Sequence, residues 1–270
     1  MTDTNFKIVV LVKQAIDTRQ TVSGTIMNED GTMNRAALPS VFNPDDKKAL
    51  EMALRIKHQN PMTTITVMTM GADNAASVLK EAIYIGADNA ILLSDRKFAG
   101  ADTLATSYVL AKALAKISPD LVLAGRQTID GDTGQVGPQV AQWLGIPQVT
   151  YATEIDECNN DQITLWRTFE NHKELLSCKL PALITTDGTA NECRPMNAKR
   201  YMTYKHMEVE KWTSESLDGD ESFYGLKGSP TQVSKVFEIT AVEKESKRMG
   251  NSDEELQAFV QEIINNRLIG

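Results

Sequence analysis

Short apolar runs alternate along the chain with segments of helical spacing. The first run, residues 6–12 (FKIVVLV), is continuous and rich in β-branched side chains, which is typical of a parallel strand buried on both faces. Similar runs predict strands at 64–70, 90–93, 121–124 and 181–186. Amphipathic spacing predicts helices between them at about 44–58, 74–85, 102–117 and 135–144. This alternation predicts an α/β fold with a mostly parallel sheet and helices on both faces.

After Gly145 the pattern changes to short strands joined by polar turns. The predicted strands lie at 149–154, 162–169 and 174–180. They indicate a small antiparallel meander, inserted near residues 149–180. Residues 213–222 (TSESLDGDES) are acidic and polar, so we expect them to be flexible. Residues 18–39 also lack periodicity and predict a small hairpin or an irregular excursion.

The last part of the chain, residues 231–270, is predicted to extend an α/β domain that covers residues 1–230. Residues 252–268 have the pattern of an amphipathic helix, which begins with a capping box formed by Ser252 and Glu255. Its apolar stripe consists of Leu256, Phe259, Val260, Ile263 and Ile264. A helix with such a stripe must pack on its own domain or on a partner.

Charge and hydropathy exclude several classes of partner. The 270-residue chain has a formal net charge of −8 at pH 7. This acidic balance argues against nucleic acid or an anionic membrane as a partner, because both require concentrated Lys and Arg. No apolar run is long enough to cross a bilayer, and the N-terminus lacks the apolar core of a secretory signal. We therefore predict a cytoplasmic protein.

Cysteine and histidine give no sign of a metal site. The three cysteines form no CxxC motif, and the three histidines have no paired metal-ligand spacing. We therefore predict no metal site and no iron–sulfur cluster. A protein of this composition that transfers electrons requires an organic cofactor.

The candidate chemistry centres on residues 121–145, LVLAGRQTIDGDTGQVGPQVAQWLG. An apolar strand breaks at Gly125, a polar loop follows, and a helix begins near Gln135. At such a turn the loop amides and the free N–H groups of the helix favour an anion, such as a nucleotide phosphate. The loop matches neither GxGxxG nor GxxxxGK[ST]. A plain strand-to-helix connection, with Asp132 or Thr133 as the N-cap, is therefore an open alternative.

Several side chains in this loop suit a phosphate. Three glycines leave room for a pyrophosphate at the backbone, namely Gly131, Gly134 and Gly137. Thr133 and Gln135 supply hydroxyl and amide donors. Ligands of parallel sheets bind at the carboxyl ends of the strands, so the loops after four predicted strands should converge on one crevice. These loops begin at Lys13, Gly71, Ser94 and Gly125.

The segment AGRQTIDGDTGQVGPQVAQWLGIPQVTY resembles the signature of the beta subunit of electron-transfer flavoproteins. Four further segments agree in order: NPDDKKALEMALRIK, GADNAILLSDRKFAGADTLATSY, KLPALITTDGTANECRP and GLKGSPTQV. The resemblance covers residues from about 6 to 233. It implies a Rossmann-like adenine-nucleotide-binding fold and a heterodimer with an alpha subunit.

The nucleotide loop distinguishes two kinds of beta subunit in this family. The electron-carrier type, which holds structural AMP, usually has the form DDCNQTGQ, whereas the electron-bifurcating type, which holds FAD, usually reads DGDTAQVGP. This chain reads DGDTGQVGP, with Gly134 in place of alanine. The resemblance thus implies that beta-bound FAD accepts hydride from NADH. One electron then passes to ferredoxin or flavodoxin, and the other passes through the alpha-subunit FAD to an acyl-CoA dehydrogenase-type partner. The alternatives are a non-bifurcating carrier with AMP and a non-redox nucleotide-binding regulatory module.

The resemblance also implies where a bound FAD is held. The residues that wrap the phosphates are Asp130, Gly131, Asp132, Thr133, Gly134, Gln135 and Val136. Asn43 and Gly71 line the adenosine end, and Leu11 and Val12 border the adenine. Structural alternatives are open for three of these four: Asn43 is also a good N-cap, and Leu11 and Val12 are good core residues.

The flavin end of the implied site involves three more residues. Thr103 and Thr106 match positions near the ribityl and phosphate groups, although Thr103 could also cap its helix. Arg126 follows the strand and is expected near the isoalloxazine, where a cation stabilises the anionic reduced ring. A surface salt bridge is the alternative for Arg126.

Two segments are expected to contact partners. By the same resemblance, residues 191–202 form the docking segment for the dehydrogenase, with Met196 or Met202 as a possible apolar anchor. The chain reads NECRP there, where NEPRY is usual, so the resemblance does not fix which dehydrogenase binds. The apolar stripe of the C-terminal helix is expected to contact the alpha subunit.

Overall fold

The protein is described by a computed structural model that covers residues 5–17, 39–231, 250 and 252–265. The strands are β1 (Lys7–Leu11), β2 (Gln14–Ile16), β3 (Ser40–Phe42), β4 (Thr64–Met70), β5 (Asn89–Leu93), β6 (Leu121–Gly125), β7 (Gln148–Cys158), β8 (Gln162–Thr168), β9 (Lys173–Lys179), β10 (Ala182–Thr186) and β11 (Glu210–Trp212). The helices are α1 (Pro44–Gln59), α2 (Ala76–Ile85), α3 (Thr103–Ile117), α4 (Val136–Leu144), α5 (Ala198–Tyr204) and α6 (Asp253–Asn265).

Nine strands form one sheet in the order β11-β5-β4-β1-β6-β10-β7-β8-β9. All neighbours from β11 to β7 pair in parallel, and β7, β8 and β9 pair antiparallel. The chain adds β4 and β5 on one side of β1, and β6 and β10 on the other. The strand order therefore reverses between β1 and β6, which is where doubly wound sheets bind ligands. The α/β prediction is confirmed.

Strand β1 explains how helices cover both faces. Ile8 and Val10 pack in the same core as helices α1 and α2, and Val9 and Leu11 pack in the core with α3 and α4. Successive side chains of a strand point to opposite faces, so a strand covered on both faces is apolar at every position. This is why residues 8–11 form a continuous apolar run in the sequence.

The antiparallel meander is confirmed, but it is part of the main sheet. Strand β10 lies between β6 and β7, so the meander joins the parallel strands through the β10–β7 pair. Most of the predicted strands begin and end close to their predicted positions, but β7 continues to Cys158, four residues beyond its predicted end. Strand β4 has its predicted bounds, and β5 and β6 are each longer by one residue.

The acidic segment 213–222 has a defined conformation, so the expectation of flexibility was wrong. It contains two 3-10 turns, Ser214–Ser216 and Glu221–Phe223. Ser214 donates through N and Oγ to Asp95 Oδ2 at 2.9 and 2.7 Å, and Asp220 N donates to Tyr108 Oη at 2.8 Å. Composition alone could not reveal these partners, which lie more than 100 residues away in sequence.

The excursion predicted at 18–39 lies outside the described residues, except for Pro39. Its flanks, β2 and β3, pair antiparallel. By its contacts the chain divides into two units, Met1–Lys235 and Val236–Gly270. Within the second unit α6 begins with the predicted capping box, because Glu255 N donates to Ser252 Oγ at 3.3 Å and Ser252 N donates to Glu255 Oε2 at 3.4 Å. Among the described residues, no helix combines the length and hydropathy that a membrane crossing requires.

Candidate functional site

The candidate loop, residues 126–135, follows β6 at the point where the strand order reverses. Leu11 at the end of β1 pairs with Ala124 near the end of β6, so the loops after these two strands are neighbours. The Lys13 ammonium lies 2.8 Å from Asp130 Oδ1, and Ile16 N donates to Asp130 Oδ2 at 3.4 Å. Partial burial raises the pKa of Asp130. The hydrogen bond and the positive charge of Lys13 lower the pKa by more than burial raises it, so the pKa lies below its usual value. Asp130 is therefore a carboxylate that ties the two loops together.

Asn43 holds the same loop from the first turn of α1. It is the N-cap residue and is completely buried, but its side chain does not cap the helix. Instead, Asn43 Nδ2 donates to the Gln127 carbonyl at 2.8 Å, and Asn43 Oδ1 accepts from Ile129 N at 3.2 Å. Asn43 thus occupies the N-cap position without capping the helix, and its side chain holds the candidate loop.

Asp46 lies buried beneath the loop and was not among the predicted site residues. Its carboxylate accepts hydrogen bonds from Lys13 N at 2.8 Å and Gly125 N at 3.0 Å, and so joins the ends of β1 and β6. Burial raises the pKa of Asp46 to about 7, against these bonds, which favour the carboxylate. A Cβ atom at Gly125 would lie 2.3 Å from Asp46 Oδ1. Glycine is therefore required at the end of β6.

The conformation of the candidate loop differs from that of a plain strand-to-helix connection with a side-chain N-cap. Gly131 N and Asp132 N both donate to the Thr128 carbonyl, and Asp132 and Gly134 have φ of +48° and +61°. Helix α4 begins at Val136 with Gln135 as its N-cap, and no side chain caps it. The alternative with Asp132 or Thr133 as N-cap is therefore wrong.

The donors of this loop fit an anion such as a phosphate. No described residue accepts a hydrogen bond from the N–H of Thr133, Gly134 or Gln135. The N–H groups of the first turn of α4 have no acceptor within the helix, and residues 131–133 are exposed. Together they provide open amides on a glycine-containing loop at a helix N-terminus. Gly137 has a different role from the predicted one, because its Cβ would lie 2.6 Å from Thr185 Cγ2 and it therefore allows α4 to pack on β10.

The predicted residues on α3 lie on the side of that helix near this loop. Thr103 Oγ1 donates to Gln135 Oε1 at 2.8 Å, and Thr106 lies one turn further along the same face. Asp102 caps α3 by accepting from Leu104 N and Ala105 N, so the alternative that Thr103 caps the helix is wrong. Val136 is the first residue of α4 and packs partly buried against the core.

The four loops at the carboxyl ends of the strands are connected in series along one edge. Beyond the Lys13–Asp130 pair, Gln14 Nε2 donates to the Asn74 carbonyl at 3.3 Å and so reaches the loop that begins at Gly71. Ser94 Oγ, after β5, donates to Asp73 Oδ1 at 3.2 Å in that same loop. The four loops therefore lie next to one another along this edge of the sheet.

The residues predicted to border the adenosine lie at this edge but are also structural. Leu11 and Val12 are buried at the end of β1, as expected for core residues. Gly71 N donates to the Leu93 carbonyl at 3.0 Å, and a Cβ at Gly71 would lie 2.9 Å from Ala75 Cβ. Each of these positions is thus constrained by packing whether or not a ligand binds.

Arg126 lies on the opposite side of the loop from Lys13. Its Nη1 is 3.3 Å from Asp187 Oδ2, after β10, and its guanidinium carbon lies 5.7 Å from the centroid of the Tyr151 ring. The alternative of a salt bridge is therefore present, between partly buried side chains at the edge of the sheet. Tyr151 and Asp187 were not predicted, and neither residue stands out in the sequence.

The predicted docking segment, residues 191–202, includes the first five residues of helix α5 and is anchored to the domain by charged side chains. Arg194 forms two hydrogen bonds of 2.9 Å with the carboxylate of Glu51 through Nε and Nη2. Arg200 Nε donates to the Ile83 carbonyl at 2.7 Å on α2. Met196 and Met202 are 55% and 62% exposed. The segment thus presents apolar side chains on a fixed support.

Within the described ranges, no group of three or more His, Cys, Asp or Glu side chains is placed to hold a metal ion. The fold and the loop therefore define an α/β protein with open backbone amides at the switch point of a doubly wound sheet. Residues 30–217 match the model of the electron transfer flavoprotein domain family. The chain belongs to this family, as a member of its beta-subunit group.

Curated relatives agree with this assignment. The chain is 44% identical over 228 residues to electron transfer flavoprotein subunit beta of Clostridium acetobutylicum, covering 84% of this chain and 86% of that protein. It is 44% identical over 232 residues to the caffeyl-CoA reductase-Etf complex subunit CarD of Acetobacterium woodii, covering 86% and 87%. It is 38% identical over 265 residues to protein FixA of Sinorhizobium fredii, covering 95% and 92%. The chain is thus an electron-transfer subunit of a family that pairs with an alpha subunit and binds flavin or nucleotide.

Proposed function

We propose that this chain is the FAD-binding beta subunit of an electron-bifurcating electron transfer flavoprotein. The observation that carries the proposal is the DGDTGQVGP loop, whose open amides lie at the switch point of the sheet. When bound there, FAD would supply the chemistry that takes hydride from NADH and releases electrons singly to ferredoxin or flavodoxin and to the alpha-subunit FAD. The chain itself provides binding, orientation and charge.

The loop supports FAD over AMP through the space that it leaves. Gly131 carries no side chain on the exposed stretch, and a Cβ at Gly134 would meet only the Arg126 carbonyl, at 3.7 Å. A pyrophosphate needs more backbone amides than a single phosphate does, and the loop offers those of Thr133, Gly134 and Gln135. The larger polar side chains usual in the AMP-binding type would occupy this space.

The remaining site residues are assigned by their positions along the edge of the sheet. In the proposal, Leu11, Val12, Asn43 and Gly71 hold the adenosine end, and Thr103 and Thr106 lie beside the phosphates and ribityl chain. Gln135 Oε1 accepts a hydrogen bond from the Thr103 hydroxyl, which leaves the side-chain amide nitrogen of Gln135 as a donor. Arg126 supplies a positive charge at the flavin end.

The two partner surfaces complete the proposal. Residues 191–202 dock an acyl-CoA dehydrogenase-type partner, supported by the exposed methionines of a segment that Arg194 and Arg200 fix to the domain. The apolar stripe of α6 contacts the alpha subunit. In its own unit this stripe is exposed at Leu256, Phe259, Val260 and Ile264.

A kinetic experiment tests the function directly. The alpha–beta complex, reconstituted with FAD, is mixed with NADH in the absence of oxygen, with ferredoxin and the cognate acyl-CoA dehydrogenase and its substrate present. We expect ferredoxin reduction that requires both the dehydrogenase and an enoyl-CoA, which is the form of the substrate that accepts electrons and is reduced to acyl-CoA. Electron transfer to the dehydrogenase that proceeds without ferredoxin reduction, or no reaction with NADH, would contradict the proposal.

A further inference from the structure

Tyr151 has a backbone conformation that is rare for a residue with a side chain. Its φ is +62°, in the left-handed region. It lies in β7 where the pairing with β10 shifts by one residue, because Ile184 pairs with Val149 and Thr186 pairs with Ala152. A bulge of this kind re-aims a side chain, and a strained residue persists only where its surroundings hold it.

The Tyr151 ring is held between a cation and a second ring. The guanidinium carbon of Arg126 is 5.7 Å from the Tyr151 centroid, and the Phe169 ring lies 5.9 Å away. Phe169 itself lies under the guanidinium of Arg167, at 4.7 Å, and beside the His172 ring, at 5.1 Å. The bulge therefore places Tyr151 in a pair of neighbouring aromatic rings, with Arg126 beside the Tyr151 ring and Arg167 beside the Phe169 ring.

Arg126 has donors for which the described residues supply no acceptor. Its backbone is fixed because Arg126 N donates to the Thr186 carbonyl at 2.9 Å. The one ion pair of its side chain among the described residues is the 3.3 Å contact with Asp187, and its buried Nε has no acceptor among them. The side chain is 34% exposed, at the start of the candidate loop. A guanidinium has five N–H donors, so most of its capacity is available to a ligand.

We propose that Tyr151 is a positioning residue that holds the Arg126 guanidinium at the carboxyl edge of β6, toward the flavin ring. This inference rests on the proposed function. A free arginine side chain samples many rotamers, whereas the ring face of Tyr151 and the carboxylate of Asp187 restrict Arg126 to one region. A fixed cation there favours the anionic, reduced form of the ring over the neutral, oxidised form. Tyr151 acts through Arg126 and does not need to touch the cofactor.

Three variants of the full alpha–beta complex distinguish the effect of the aromatic ring of Tyr151 from the effect of its left-handed backbone conformation. Tyr151→Phe keeps the aromatic face, Tyr151→Leu removes it but keeps a side chain at φ of +62°, and Tyr151→Gly removes both. The readout is the two-electron potential of the beta-bound FAD, measured by dye equilibration without turnover. We expect Tyr151→Phe to match the wild type. Tyr151→Leu and Tyr151→Gly should bind reduced relative to oxidised FAD about tenfold more weakly, which lowers the potential by about 30 mV.

The same substitutions in an Arg126→Gln background test whether Tyr151 acts through Arg126. There, Tyr151→Leu should cause no further shift in potential, because the cation that the ring positions is gone. Equal potentials for wild type and Tyr151→Leu, or an undiminished shift in the Arg126→Gln background, would overturn the inference. A wild-type complex with AMP and no FAD on this chain would overturn the proposed function and this inference together. Two FAD per complex with an insensitive potential would overturn the inference alone.

Discussion

The Lys13 ammonium lies 2.8 Å from Asp130 Oδ1, and this ion pair joins the loops that follow β1 and β6. The two strands are neighbours at the switch point of the sheet, so the pair spans the position where the candidate loop begins. Lys13 also approaches Thr128 Oγ1 at 3.4 Å. The ion pair therefore fixes the first half of the loop and leaves the amides after Asp132 open.

Asp130→Asn should weaken nucleotide binding more than it weakens the fold. The Lys13 side chain is 42% exposed, so loss of the pair should lower stability by less than about 1 kcal/mol. Loss of loop order should weaken FAD binding about tenfold, or ~1.4 kcal/mol. Glu221→Gln is a matched control, since it removes an exposed ion pair with Lys97 outside the loop. Titration with FAD measures the affinity of the complex for each variant, and thermal unfolding measures the stability. Equal FAD affinities for the two variants would contradict the role of Asp130.

Gly134→Ala tests the left-handed position in the loop. Gly134 has φ of +61°, where a side chain costs about 1–2 kcal/mol. Gly145, the C-cap of α4, has φ of +65° and no neighbour within 4 Å of a Cβ, so Gly145→Ala carries the same backbone penalty away from the phosphates. Both variants should unfold at lower temperature by a similar amount, and both should keep FAD affinity, because alanine is usual at the position of Gly134 in the FAD-binding type of loop and a Cβ there would meet only the Arg126 carbonyl, at 3.7 Å. A loss of FAD affinity in Gly134→Ala alone would contradict the match of this loop to the FAD-binding type.

Asp46 should make stability depend on pH. Its pKa in the folded protein is about 7, whereas that of an unfolded aspartate is about 3.9. The folded chain thus binds this proton more tightly, so the contribution of Asp46 is most favourable below about pH 4 and declines by about 4 kcal/mol as the pH rises to about 7. Asp46→Asn removes this decline. Thermal unfolding of both proteins between pH 4.5 and 7.5 should show the variant gaining relative to wild type as pH rises. A wild-type advantage that grows with pH would mean that the two backbone hydrogen bonds dominate.

Met202→Glu should impair docking without changing the flavin site. Met202 is 62% exposed on α5, and a charge there opposes an apolar contact. Met62→Glu is the matched control, because Met62 is 56% exposed but lies outside residues 191–202. The KM for the acyl-CoA dehydrogenase should rise about tenfold for Met202→Glu only, with FAD content and reduction by NADH unchanged. An unchanged KM would place the docking surface elsewhere.

The sequence predicted those parts of the fold that depend on local pattern. The apolar run of β1 predicted a parallel strand, because a strand that is buried on both faces is apolar at every position. The periodicity of α1 to α4 predicted the helices that cover the sheet. The insertion of β10 between β6 and β7 was not specified, since strand order depends on long-range pairing. The order of residues 213–222 was missed for the same reason, because Asp95 and Tyr108 hold that segment from a distance.

The candidate site was predictable only in part. The loop from Asp130 to Gln135 was predicted because glycine and polar residues between a strand and a helix indicate a turn with free amides at the N-terminus of the helix. Asn43 was found through the resemblance, and its side-chain bonds to residues 127 and 129 needed coordinates. The conformation of Tyr151 could not be predicted, because nothing in a strand sequence indicates that a tyrosine adopts a positive φ.

The nucleotide content of the purified alpha–beta complex tests the central claim most directly. The complex is reconstituted with excess FAD and freed of unbound cofactor, then denatured, and FAD and AMP are quantified in the same extract. We predict two FAD per heterodimer and no stoichiometric AMP, with the flavin absorbance bleached by NADH before denaturation. One FAD and one AMP per heterodimer would contradict the account and identify an electron carrier with a single flavin.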